Sequence, residues 1–80
     1  MQFIFKHTNF NVLDLQRSLA FYKEALGLTE VRRIEKPDFT IVYVGDGISD
    51  FRLELTWLKG RKEPYNLGEN EFHTAFAVKD

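Results

Sequence analysis

The stretch HTNFNVLDLQRSLAFYKEALG, residues 7–27, decides the fold. Its first six residues alternate around Phe10 and Val12 and are rich in strand-forming types, so Phe3 to Val12 reads as a strand. Asp14 is a good helix N-cap, and Leu15, Leu19, Tyr22 and Leu26 then recur at helical spacing, with Phe21 and Ala25 widening the apolar stripe. Gly27 stands where a left-handed C-terminal cap is wanted, and Leu28 can fold back onto the last turn. The pattern predicts a strand followed by a helix over about Leu15 to Leu26.

Downstream, three more strands follow from alternation and turn chemistry. Thr29 to Ile34 is the second strand, Lys36-Pro37-Asp38 a turn, and Phe39 to Val44 the third strand, closed by Gly45-Asp46-Gly47. In Phe51 to Trp57 the residues Phe51, Leu53, Leu55 and Trp57 face one way and Arg52, Glu54 and Thr56 the other. Leu58 to Asn70, with Gly60, Pro64 and Gly68, is a surface connection, and Glu71 to Val78 reads as a last short strand. The expected class is α+β: one βαβββ module over residues 1–70, with residues 71–80 as an extra C-terminal strand beginning a second module.

An internal repeat supports that division. Phe5 to Asp14 aligns without a gap on Glu71 to Asp80, giving the shared pattern H-T-x-F-x-V-x-D. In both copies the histidine lies on the strand face opposite Thr, Phe and Val.

Composition sets the outer bounds. Eighty residues make one small domain at most, with modest capacity for burial. Eight Phe, three Tyr and one Trp are many large anchors for so small a core, and they point to a tight sheet-and-helix layer or to apolar surface that meets a partner. A net charge of -1 with dispersed cations argues against nucleic acid or an acidic membrane as partner. The absence of cysteine excludes disulfides, thiolate metal sites and a Cys nucleophile. No apolar run approaches the ~20 residues that cross a bilayer, and Met1 to Phe5 lacks the features of a signal peptide, so a soluble, cytoplasmic protein is expected.

The two histidines, His7 and His73, occupy the same place in the repeat. One strand histidine is more often structural than ligating, but two related modules meeting about a pseudo-twofold axis would bring equivalent positions together. Glu54 sits mid-strand on the polar face, as either a solvated carboxylate beside Arg52 and Thr56 or a third ligand. Two histidines and a carboxylate form a donor set that binds divalent first-row metals and leaves positions open.

The start His7-Thr8-x-x-x-Val12-x-Asp14-Leu15-x-Arg17-Ser18-x-x-Phe21-Tyr22-x-x-x-Leu26-Gly27 resembles the first strand and helix of the glyoxalase I (lactoylglutathione lyase) family within the vicinal-oxygen-chelate superfamily. Leu53-Glu54-Leu55-Thr56 resembles the segment carrying that family's first-module glutamate ligand, and Tyr65 to Gly68 followed by His73 resembles the approach to its second-module histidine. The resemblance implies that His7, Glu54 and His73 correspond to three of four metal ligands, and that the metal is divalent: Ni²⁺ or Zn²⁺, with Co²⁺ or Mn²⁺ as further candidates. It implies a lyase that isomerises the hemithioacetal of methylglyoxal and a thiol through an enediolate, with Glu54 taking part in proton transfer, working as a homodimer. Three departures accompany it. The fourth ligand would lie beyond Asp80, and Asn11 and Leu58 stand where glutathione-using members carry an arginine and an asparagine. The alternatives are another metalloenzyme of the superfamily, a dioxygenase or thiol transferase, and a non-catalytic dimerising or binding module. Phe39, Tyr43 and Trp57 are read as packing residues, and Arg32 and Arg33 as solvated charge.

Overall fold

A computed structural model describes residues 1–79. The elements run β1 (His7–Val12), α1 (Leu15–Leu26), β2 (Thr29–Glu35), β3 (Phe39–Gly45) and β4 (Arg52–Leu58). The four strands form one mixed sheet in the order β1-β4-β3-β2, with β1 parallel to β4 and the other two pairings antiparallel. Two antiparallel hairpin steps carry the chain from β2 to β4. The helix supplies the crossover that lets β1 lie parallel beside β4.

The helix is set by its ends as much as by its stripe. The Asp14 carboxylate accepts from the Arg17 backbone N–H at 3.0 Å, which satisfies one of the free donors of the first turn. At the other end Gly27 adopts φ 68°, its N–H bonding the Lys23 carbonyl while the Leu28 N–H returns to that of Tyr22. A Cβ at Gly27 would meet no atom within 4 Å, so any penalty there comes from the left-handed backbone alone. Gly27→Ala is expected to lower stability by about 1–2 kcal/mol, read as a shift in the urea midpoint. Gly27→Asn should lose less, because asparagine tolerates that conformation. Equal losses for the two would show that backbone strain is not the cause.

One face of the sheet carries the core. Val42 and Leu55 are paired across β3 and β4 and are fully buried, as is Val44 beside Leu53. Leu15 and Leu28 close over them from the helix and its exit, with Phe10, Val12, Leu19, Tyr22 and Trp57 packed around the margin. Thr8, Phe10 and Val12 of β1 share this face, so period-two alternation turns His7, Asn9 and Asn11 to the other. That other face has no helix on it.

The βαβββ order and the helix bounds are as the sequence predicts. Two segments differ. The first strand begins at His7, not Phe3, and Glu71 to Lys79 forms no strand at all. A strand exists through ladder bonds to a neighbour, and no other segment pairs with 71–79 here. Phe72 and Val78 accordingly stay exposed, at 91% and 82%. The last residue of the repeat, Asp80, lies outside the described residues.

Candidate metal centre

The helix-free face places the candidate residues by register alone. β1 pairs with β4 so that His7 stands opposite Arg52, Asn9 opposite Glu54 and Asn11 opposite Thr56. From the other side β3 puts Tyr43 opposite Glu54. Glu54 is therefore flanked on both sides by polar groups and is only 14% exposed, with His7 at 42%. His7 Nε2 and Glu54 Oε2 lie 3.6 Å apart. Two ligand atoms each ~2.1 Å from one ion can be at most ~4.2 Å apart, so this pair is close enough to share a divalent metal. One imidazole nitrogen and one carboxylate oxygen are also suitable donors for such an ion.

The carboxylate is held from behind. Turned so that its nitrogen faces Glu54, the Asn9 amide donates to Glu54 Oε1 at 2.9 Å and also to Thr56 Oγ1. The Tyr43 phenol is pushed up from its ordinary pKa, first by hydrogen bonding to Glu54, then by burial and by the carboxylate's charge, while Arg32 pulls it the other way. The Tyr43 ring also meets the His7 imidazole edge-on, with centroids 5.4 Å apart at 75°. Hydrogen bonds to the Glu54 carboxylate and an aromatic wall against His7 restrict both side chains. Beside the pair opens a cavity of about 600 Å³ walled in part by His7 and Tyr43.

His73 is not part of this arrangement. It lines a separate cavity of about 1010 Å³ between the C-terminal segment and β1, together with Phe10, Tyr22 and Tyr65. Among the described residues no group of three or more His, Cys, Asp or Glu side chains is placed to hold a metal. The structure thus brings together two of the three residues singled out in the sequence.

Residues 4–80 match the sequence pattern of the Glyoxalase/Bleomycin resistance protein/Dioxygenase superfamily. The chain belongs to this superfamily. Among its glyoxalase relatives, the lactoylglutathione lyase of Salmonella typhimurium is 38% identical over 76 residues, covering 90% of this chain and 56% of the relative. That of Neisseria meningitidis serogroup A is 39% identical over 80 residues, covering 92% and 56%. In three dimensions the chain is similar to the trypanothione-dependent glyoxalase I of Leishmania major, with a TM-score of 0.67 and 34% identity over 80% of this chain and 52% of that one. It therefore spans little more than half the length of the curated glyoxalase relatives it matches.

Two residues at this site were not foreseen. Tyr43, read as packing, stands beside Glu54, and Asn9 drew no attention. The available signal was parity, clear for Asn9, which alternates with Phe10 and Val12, but masked for Tyr43 by Phe39 and Ile41 on its own face. Only the register across β1, β4 and β3 shows that both converge on Glu54. No helix of the described chain is long and apolar enough to cross a membrane.

Proposed function

We propose that this chain is the metal-holding module of a glyoxalase I-like lyase that isomerises the hemithioacetal of a 2-oxoaldehyde and a thiol. The observation that carries the reading is the His7–Glu54 pair, 3.6 Å apart on the helix-free sheet face of a chain in this superfamily. His7 and Glu54 are two of the ligands. His73, which lies outside the pair, is the third, brought in when modules pair, since it holds the same place in the sequence repeat as His7. A bound Ni²⁺ or Zn²⁺ would supply Lewis-acid stabilisation of negative charge developing on the substrate's neighbouring oxygens. The Glu54 carboxylate takes a proton from one substrate carbon and returns it to the next, a general-base role suited to a side chain held by Asn9 and Tyr43. The remaining donor belongs to the other half of the relatives' length.

Pairing of modules, as a homodimer, is part of the proposal. β1 is an edge strand, and Phe5 and Phe72 are exposed at 86% and 91%. Unpaired edges and contiguous apolar surface are the features that association removes. The test is elemental analysis of the purified chain alongside its mass in solution, followed by a hemithioacetal isomerisation assay with added Ni²⁺ or Zn²⁺. One divalent ion per site in a dimer is the expected result. A metal-free monomer whose melting temperature ignores both ions would sink the reading for this chain.

A further inference from the structure

The cavity beside His7 and Tyr43 has a charge that the chain as a whole lacks. It is walled by Lys6, Arg32 and Arg52 against one carboxylate, Asp50, in a chain of net charge -1. Among the described residues none of the three cations has a carboxylate within ion-pairing distance. Arg33 shows the contrast: on the opposite face it is paired with Glu30 at 2.8 Å and Glu35 at 3.5 Å.

Each cation reaches the cavity through a feature of the backbone. In the β2–β3 ladder Glu30 faces Val44 and Arg32 faces Tyr43, so Val31 is an extra residue, a bulge. Without it Arg32 would fall opposite Val42, on the core side; the bulge turns Arg32 to the helix-free face. Its guanidinium sits 5.8 Å from the Tyr43 ring centroid. Arg52 is held differently. Its side chain lies across Gly45, where a Cβ would come within 3.0 Å of Arg52 Cδ, and its guanidinium donates to the Ser49 and Phe51 carbonyls at 2.9 and 3.3 Å. Lys6 immediately precedes His7, its carbonyl accepting from the Arg52 N–H at 2.8 Å.

We infer that this cavity is an anion subsite, which takes a carboxylate on the ligand whose reacting end meets His7 and Glu54. Two arginine forks and a lysine around about 600 Å³ fit a carboxylate borne by a small molecule. Assigning that carboxylate to the substrate rests on the reading of His7 and Glu54 given above. The anion site itself stands on the unpaired cations, the bulge and the glycine. It lies at the end of β1 and β4 opposite Asn11, where glutathione-using members carry an arginine.

The test is a succinate titration of the metal-free full chain, followed by amide and arginine Nε–H NMR shifts at constant ionic strength, with succinamide and inorganic phosphate in parallel. Saturable shifts at Arg32, Gly45 and Arg52 with succinate, absent with succinamide, are expected. Arg52→Gln and Arg32→Gln should each weaken succinate about tenfold, while Arg33→Gln leaves it unchanged. Native-like amide dispersion in the variants excludes unfolding as the cause. Non-saturating shifts, equal loss in Arg33→Gln, or phosphate binding tenfold tighter than succinate would each overturn the assignment. Because no metal is present, succinate binding by a chain that takes no metal would defeat the metal reading alone. Metal binding without succinate binding would defeat this inference alone.

Discussion

Leu55→Ala is expected to remove 2–5 kcal/mol of stability and, in a domain this small, to abolish most of the cooperative unfolding transition. Leu55 is fully buried, facing Val42 on β3 and Phe10 on β1. Truncating it loses the transfer free energy of the removed methine and two methyl groups and leaves a cavity that strands locked in register cannot close. The domain has little to spare. Among the described residues only Leu15, Leu28, Val42, Val44, Leu53 and Leu55 form its buried core, and a single small core rarely supplies more than about 3–5 kcal/mol. The measurement is urea denaturation followed by far-UV circular dichroism, with Leu67→Ala as the control. Leu67 is 72% exposed, and its truncation should stay within about 0.5 kcal/mol. A loss below about 1 kcal/mol for Leu55→Ala would mean that the β3–β4 pair is not the centre of the core.

What the sequence made legible is what local chemistry determines. The helix is bounded by Asp14 and Gly27, whose roles depend only on residues within a turn of them, and its expected and observed limits coincide. The alternation in Leu53-Glu54-Leu55 separates a core face from a polar one without knowledge of any partner. Non-local facts were not legible. That Tyr43 adjoins Glu54 depends on the β3–β4 register, and that Asn9 does depends on a parallel pairing across the helix crossover. The bulge at Val31 is harder still. Nothing in Glu30-Val31-Arg32 marks it, yet it decides which face Arg32 occupies. The segment after Glu71 shows the converse. Its composition suits a strand and repeats that of β1, but a strand needs an edge to pair with, and sequence pattern cannot supply one.

The same separation governs the largest effect expected at the site. Glu54→Gln should leave the fold intact and weaken Ni²⁺ or Zn²⁺ binding by more than about 100-fold. The fold survives because glutamine has nearly the same volume and its amide can still bond with Asn9 and Tyr43 on a face that carries no core. The metal does not, because a neutral amide is a far poorer ligand for a borderline cation than a carboxylate. Asn9→Ala sets the scale. It removes the donor to Glu54 Oε1 while keeping the carboxylate, and loss of such an outer partner typically costs ~10–100-fold in affinity. Competition against a chelating dye, for wild type and both variants, should therefore rank affinity as wild type, then Asn9→Ala, then Glu54→Gln. Reversal of the two variants, or wild-type affinity in Glu54→Gln, would show that the 3.6 Å approach of His7 and Glu54 is only a contact between strand neighbours. If turnover is found, saturating metal separates the two tasks assigned to Glu54. Activity restored to Asn9→Ala but not to Glu54→Gln would mean that the carboxylate moves the proton as well as holding the ion.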